Sequence, residues 1–235
     1  MELKEPYLKQ YLPSVRIWKG IYPPSIILTR HIEKYYDNSY ANIGRANSYA
    51  SYGPRWAQAA TAPSRLYKTF TSGGGIRVPL ILRYPPLTSS VAQDGIVRSF
   101  STVMDIFPAV LELAGIPAVG STFRSRQVVP VRGSSWVPFL RKERQQIHKE
   151  DYVTGWELFG RMAVRKGKWK ATFIPEPCGP GERELFDLDA DPGETKELSK
   201  VEPEVFKDLL REWDRYVSET GVVGIPPEYG TFRVD

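Results

Sequence analysis

The stretch of residues 62–79 constrains the chain more than any other part of its sequence. Within it, Lys68 precedes three consecutive glycines, Gly73 to Gly75, which lead toward an apolar run beginning at Val78. Glycine lets a backbone approach another group closely, and a lysine ammonium is a compact charge that can reach a nearby oxyanion. The glycines do not follow the G-x-x-x-x-G-K-[ST] order of a P-loop. We therefore expect them to set the backbone geometry before a strand.

That strand is predicted at residues 78–84. The apolar run there is nearly continuous, which is typical of a strand buried on both faces. Pro79 restricts this interpretation to a strand in which the proline lies at the first turn or on an edge.

Composition excludes several classes of protein. Hydrophobic residues make up 41% and charged residues 25% of the 235 positions, which is ordinary globular usage. The sequence contains no run of about 18 apolar residues and no apolar signal-peptide core, so we expect no membrane span and a cytoplasmic location. Its single cysteine, Cys178, excludes an internal disulfide framework.

Charge is spread unevenly along the chain, whose net charge is +5. Residues 1–100 carry 13 Lys and Arg against 5 Asp and Glu, whereas residues 101–235 carry 19 against 22. The basic residues are scattered singly, and no nucleic-acid-binding motif accompanies them, so no nucleic-acid partner is expected. Two interpretations stay open, namely ordinary surface charge and a basic half that faces an acidic partner.

Periodicity places two helices in the first 150 residues. Residues 26–43 carry apolar side chains at spacings of three and four, with Gly44 as the stop, and Asp37 and Asn38 fall on its surface. Residues 45–66 read as extended or irregular. Asp105 is the predicted N-cap of a second helix that ends at Gly115.

The last part of the sequence predicts a small α+β unit. Residues 163–174 form a hairpin with Gly167 at its turn, and residues 184–188 form a third strand. A helix then begins at Pro203 and ends at Gly221, with an apolar stripe that covers one face of the sheet. We therefore divide the chain into residues 1–150 and a C-terminal subdomain of residues 151–235.

Several segments, in this order, resemble the type I sulfatases, in particular the bacterial and fungal arylsulfatases. They are residues 31–39, 42–49, 52–59, the lysine–glycine stretch, residues 100–106, residues 153–160, and Leu185-Phe186-Asp187-Leu188 with Asp191-Pro192-Gly193-Glu194. The resemblance implies the C-terminal part of an alkaline-phosphatase-like α/β sulfatase fold. Residues 1–150 would then be part of the catalytic domain, and residues 151–235 a small antiparallel sheet with one helix.

A complete sulfatase, by the same resemblance, uses a formylglycine made from the Cys or Ser of a C/S-x-P-x-R motif, together with a calcium ion held by Asp and Asn. This sequence contains neither a complete C/S-x-P-x-R motif nor an Asp-Asn-Gly segment. We therefore expect no cofactor, no metal ligands and no complete catalytic set in this chain. Lys68 is the one residue to which the resemblance assigns a role, that of contacting the sulfate.

Other candidate residues have simpler interpretations. Cys178 begins Cys-Gly-Pro-Gly-Glu-Arg, which misses the nucleophile motif because Glu182 stands where arginine is needed, so it predicts a Gly/Pro turn. His31 and His148 lack a second metal-type ligand at helical spacing and are expected to be structural or solvated. Arg77 is expected to form a structural salt bridge.

The leading functional hypothesis is an arylsulfatase-related sulfuric ester hydrolase that is inactive as this chain alone. Its partner would be a sulfate ester, with no membrane involved and with association through exposed apolar surface. Two alternatives stay open at this point, namely a non-catalytic anion-binding or interaction protein and a fragment of a related phosphoester or phosphonate hydrolase.

Overall fold

A four-stranded antiparallel sheet with a long helix on one face organises the C-terminal half of the chain. The computed structural model describes residues 31–49, 53–88, 95–118 and 120–223. The chain divides into two compact units, Met1–Arg55 and Trp56–Asp235.

Residues 31–35 are helical, and the further elements are α1 (Gly53–Thr61), α2 (Gly73–Ile76), α3 (Pro85–Thr88), a 3-10 turn (Val103–Asp105), α4 (Ile106–Leu113), β1 (Thr122–Phe123), β2 (Arg126–Gln127), α5 (Val137–Leu140), β3 (Val153–Leu158), β4 (Arg161–Lys166), β5 (Trp169–Phe173), β6 (Arg183–Asp187) and α6 (Pro203–Thr220).

The strand order β3-β4-β5-β6 follows the sequence, so each strand pairs with its chain neighbour. The predicted hairpin is confirmed. Lys166 pairs with Trp169 across a two-residue turn, and Gly167 adopts the positive φ of 57° that such a turn favours. The predicted third strand is confirmed as β6.

Strand β3 was not predicted, because Gly155 and Glu157 interrupt its apolar pattern. The structure gives Gly155 a specific role: a Cβ at that position would lie 2.8 Å from the ring of Tyr216 on α6. The glycine therefore lets the helix pack closely on the strand.

Helix α6 confirms the predicted C-terminal helix. It has Pro203 in its first turn, and Gly221 ends it in the left-handed conformation with φ 68°. Its apolar stripe packs on one sheet face, where Leu209 and Trp213 form a core with four strand residues, Met162, Val164, Ala171 and Leu185. This core is the main hydrophobic contact of the C-terminal part.

The predicted strand at residues 78–84 is wrong. These residues form no ladder with any described strand, and Val78 and Ile81 are 79% and 93% exposed. The local apolar run is present, but a strand also needs a neighbour to accept its backbone hydrogen bonds. The prediction that the chain associates through exposed apolar surface stays a prediction.

The predicted helix at residues 26–43 is too long at its C-terminal end, and residues 26–30 lie outside the described part. Helical backbone stops at residue 35 because polar side chains bind the main chain instead. Asp37 Oδ1 accepts the Ser39 N–H at 2.9 Å, and Asn38 Oδ1 accepts the Tyr49 N–H at 2.7 Å. Asp37 and Asn38 thus lie in a turn, not on a helix surface.

Helix α4 agrees with the prediction at both ends, since Asp105 is its N-cap residue and Gly115 ends it, although the Asp105 side chain makes no capping hydrogen bond to α4. Gly115 has φ 67°, and its N–H donates to the Glu112 carbonyl while the Ile116 N–H donates to the Leu111 carbonyl, the paired bonds of a Schellman motif. The expected apolar face is open instead of buried: Ile106, Phe107 and Val110 are exposed.

No helix within the described residues is long and apolar enough to cross a bilayer. The cytoplasmic location and the domain boundary near residue 150 stay predictions.

Replacing Leu209 with alanine is expected to lower the free energy of unfolding by about 2–5 kcal/mol, because it opens a cavity between α6 and the sheet. The change can be measured by urea unfolding. Arg211→Ala, on the exposed side of the same helix, is the matched control and is expected to cost less than about 0.5 kcal/mol. Equal losses in the two variants would contradict the packing.

Candidate functional site

Lys68 lies on an exposed turn whose backbone is tightly constrained. Leu66, two residues before Lys68, and Thr69, directly after it, have φ values of 57° and 85°, in a region that non-glycine residues seldom adopt. The Phe70 N–H donates to the Tyr67 carbonyl at 3.1 Å and closes the turn. Strained backbone of this kind persists only where the surroundings hold it in place.

The chain on either side of the turn is anchored by side chains. Thr61 Oγ1 donates to the Leu66 carbonyl at 2.7 Å, and Ser72 Oγ donates to the Arg65 carbonyl at 2.8 Å. Phe70 and Ser72 are buried, whereas Lys68 is exposed. The described residues offer Lys68 no ion-pair partner, so its ammonium is open to solvent.

The three glycines form α2, and two of them are required by close backbone contacts. A Cβ at Gly74 would lie 1.7 Å from the Leu66 carbonyl oxygen, and one at Gly75 would lie 2.0 Å from the Phe70 carbonyl oxygen. At Gly73 the nearest atoms are 3.6 Å away, which is ordinary contact. The prediction that these glycines serve backbone geometry is confirmed, although no strand follows them.

The lysine–glycine segment, residues 62–76, packs on the sheet face opposite α6. Side chains alternate along β4, so Met162 and Val164 face the helix while Arg161 and Ala163 face the segment. Thr71 Oγ1 donates to the Met162 carbonyl at 2.9 Å. The sheet is thus covered on both faces, by the apolar stripe of helix α6 on one and by a loop anchored through polar contacts on the other.

One ion pair, and a hydrogen bond to a second ion pair, fix the segment to this face. Arg65 Nη1 lies 2.9 Å from Glu184 Oε2 on β6. Lys170 Nζ on β5 lies 2.5 Å from Glu194 Oε1, and both side chains are almost wholly buried. Both carboxylate oxygens of Glu194 also accept the Gly73 N–H, each at 3.1 Å. Burial lowers the pKa of Lys170, and the charge of Glu194 opposes that shift.

Sequence reasoning missed the Lys170–Glu194 pair. The sequence gives Lys168 and Lys170 the same local setting, each beside apolar neighbours, but Lys168 is half exposed and pairs with Asp187 at 2.6 Å. Lys170 lies two residues later in β5, on the sheet face that the lysine–glycine segment covers, and its side chain is almost wholly buried. The one feature of the sequence that could have indicated a partner for Lys170 was Glu194, at the end of the Asp-Pro-Gly-Glu turn.

A second buried polar cluster centres on Asp105. His148 Nε2 lies 2.8 Å from its Oδ2, and its carboxylate also accepts the backbone N–H groups of Thr102 at 2.6 Å and Ser134 at 2.7 Å. The His148 ring stacks on Tyr152 at 3.9 Å. Asp105 thus occupies the predicted N-cap position of α4, but its carboxylate is a buried anchor for Thr102, Ser134 and His148 and makes no capping hydrogen bond to α4. His148 is structural and buried, not solvated.

Burial by itself would raise the pKa of Asp105. The hydrogen bonds from Thr102, His148 and Ser134 outweigh burial, so that the pKa is lowered. These donors stabilise the ionised carboxylate in the folded protein.

The other sequence candidates lie apart from any cluster of reactive groups. Cys178 is partly buried in the loop between β5 and β6, where the Gly179 N–H donates to the Pro175 carbonyl, which confirms the predicted turn. His31 packs on Tyr35 with ring centroids 4.7 Å apart. Arg77 is exposed and makes no salt bridge with a described residue, so its predicted salt bridge stays a prediction. Within the described ranges no group of three or more His, Cys, Asp or Glu residues could hold a metal ion.

Gly74→Ala is expected to destabilise the fold by more than about 2 kcal/mol, because its methyl group would overlap the Leu66 carbonyl. Gly73→Ala, one residue earlier in the same helix, has room for a methyl group and is expected to change stability by less than about 1 kcal/mol. Thermal unfolding of both variants checks the contrast. Similar midpoints for the two would show that the close contact is absent.

Asp105→Asn is expected to cost about 3 kcal/mol at pH 7, because it removes a buried carboxylate that is paired and hydrogen-bonded. Since the folded pKa of Asp105 is lowered, its contribution is complete above the unfolded pKa of about 3.9 and is lost as pH falls through the folded value. Urea unfolding from pH 7 to pH 3 should show the wild type and the variant converging below about pH 4. A difference in unfolding free energy that stays constant with pH would contradict an ionised Asp105 in the folded protein. Asp151→Asn, at an exposed position, is the control.

Comparison with known proteins identifies relatives for most of the chain. No family model matches. An uncharacterized sulfatase of Schizosaccharomyces pombe is 47% identical over 204 residues, which cover 87% of this chain and 36% of that protein. An arylsulfatase of Klebsiella aerogenes is 36% identical over 103 residues, or 43% of this chain and 21% of that protein. A choline-sulfatase of Rhizobium meliloti is 30% identical over 129 residues, or 54% of this chain and 22% of that protein.

The chain thus spans between 21% and 36% of the length of these relatives. The resemblance that its sequence motifs indicated is confirmed: over the part that it shares with them, the chain belongs to the sulfatase family.

Proposed function

We propose that this chain supplies a sulfate-contacting wall of an arylsulfatase-type site, with Lys68 as the group that binds the sulfate. The observation that carries the proposal is the placement of Lys68. It is an exposed cation without an ion-pair partner in the described residues, and it stands on a turn whose backbone is held from both sides. A cation fixed in this way is suited to an anionic ligand.

The chemistry available to Lys68 is electrostatic. Its ammonium donates hydrogen bonds to sulfate oxygens and offsets the negative charge that they carry. The rigid turn reduces the conformational entropy lost when the lysine engages a ligand. The names of the relatives are consistent with a sulfate ester as that ligand.

The proposal covers binding and not turnover by this chain alone. The described residues contain no metal-ligand cluster, and the sequence contains no complete C/S-x-P-x-R motif. Both observations support the proposal that these residues supply neither a calcium site nor a formylglycine. We propose that hydrolysis needs groups beyond those of the 235 residues. An aryl sulfate would then bind through Lys68 and leave unchanged.

Lys68→Ala is expected to weaken the binding of 4-nitrophenyl sulfate by about tenfold or more, which corresponds to about 1.4 kcal/mol for a lost charge-assisted contact. Isothermal titration calorimetry on the full chain measures the change. Lys200→Ala removes another exposed lysine, in the loop before α6, and is expected to leave affinity unchanged. Equal affinities for the wild type and Lys68→Ala would contradict the role of Lys68.

Release of 4-nitrophenol by the purified chain, assayed with calcium present, tests the second part of the proposal. We expect none above the uncatalysed rate. Hydrolysis that is lost in Lys68→Ala would support the binding role but overturn the claim that the chain lacks a complete catalytic set.

A further inference from the structure

Arg161 is buried beneath the turn that carries Lys68. It is the first residue of β4 and is only 3% exposed. Its guanidinium carbon lies 4.5 Å from the centroid of the Phe70 ring, and its Nη1 donates to the Thr69 carbonyl at 3.4 Å. Both contacts fall on the two residues that directly follow Lys68.

The electrostatic state of Arg161 is unusual. Its guanidinium group forms no salt bridge with a carboxylate of the described residues. Its buried Nε has no hydrogen-bond partner. Burying a charged group without a countercharge is unfavourable, and an apolar residue of similar size often stabilises such a site. A contribution to global stability therefore does not account for an arginine here.

The contacts that Arg161 makes with Thr69 and Phe70 explain why an arginine occupies this position. Thr69, whose carbonyl it binds, has the strained φ of 85°, and Phe70 begins the buried run that anchors the turn. A planar guanidinium can stack on a ring while one of its N–H groups reaches a carbonyl, which neither a lysine nor an apolar side chain can do.

We propose that Arg161 is a positioning residue that holds the Lys68 turn in its strained conformation and thereby aims Lys68 at its anionic ligand. The effect on ligand affinity rests on the proposed function of Lys68. The effect on the turn does not, and it can be measured without any ligand.

Arg165 provides a matched control. It lies four residues along the same strand, on the same sheet face, and its guanidinium carbon lies 4.0 Å from the ring centroid of Phe100. Its Nε donates to the Gly167 carbonyl at 2.8 Å, within its own hairpin. Arg165 thus shares the residue type and the cation–π contact but does not touch the turn.

Trypsin cleavage at the Lys68–Thr69 bond reports on the turn directly, because cleavage requires the strained backbone to open. We expect Arg161→Met to raise the rate of cleavage after Lys68 by about tenfold, measured by mass spectrometry of the fragments of the full chain, and Arg165→Met to leave it near the wild-type rate. Urea unfolding of both variants separates a local effect from a global one. A faster cut in Arg161→Met, with unchanged or higher global stability, is the specific signature of positioning.

Arg161→Lys keeps the charge over the ring but lacks the fork that reaches Thr69, so it is expected to cleave at an intermediate rate. This variant also decides the question if Arg161→Met fails to fold. Cleavage after Lys68 at the wild-type rate in the folded Arg161 variants, or an equal increase in Arg165→Met, would overturn the proposal.

Titration with 4-nitrophenyl sulfate supplies the second readout. Arg161→Met is expected to weaken binding in the wild-type background and to have no effect when Lys68→Ala is already present, since the two residues act as a unit. Loss of affinity that is additive with Lys68→Ala would overturn the positioning role. A wild-type chain that binds no sulfate ester would overturn the proposed function, while the cleavage rates would still decide the role of Arg161 in the turn.

Discussion

The buried ion pair between Lys170 and Glu194 is the interaction on which the rest of the site depends. It joins a strand of the C-terminal sheet to the turn before α6, and through the Gly73 N–H it also holds the start of the glycine helix. Two charges removed from water in this way are tolerated only because each finds its partner and further hydrogen bonds satisfy the carboxylate. The pair therefore fixes the position of the lysine–glycine segment on the sheet.

This link makes the sheet a support for two different layers. On one face α6 contributes ordinary hydrophobic packing, with Leu209 and Trp213 against the strands. On the other face a loop of small and polar residues is held by ion pairs and by hydrogen bonds such as Thr71 to the Met162 carbonyl. A loop held at so many points can keep strained backbone, and here the strain surrounds the exposed Lys68.

Much of the C-terminal half could be predicted, because its signals are local. Gly167 between alternating residues indicates a hairpin turn, and Pro203 and Gly221 bracket a stripe of period 3.6. The first half was predicted less well. Residues 78–84 have the composition of a buried strand, but composition does not provide a neighbouring strand, and the structure leaves all of them except Leu82 exposed. The predicted helix over Asp37 and Asn38 was wrong because their side chains bind nearby backbone groups.

The sequence by itself determined the family resemblance, the hairpin and helix of the C-terminal half, and the backbone role of the glycines. It also singled out Lys68. Only the tertiary structure decided which charges are buried: Lys170 and not Lys168, and Asp105 with His148, which lie 43 positions apart in the chain. Periodicity records which face of an element a residue occupies, whereas the partner that neutralises a buried charge comes from a distant segment. The placement of Arg161 under the Lys68 turn is a contact of the same kind, set by packing across more than 90 positions.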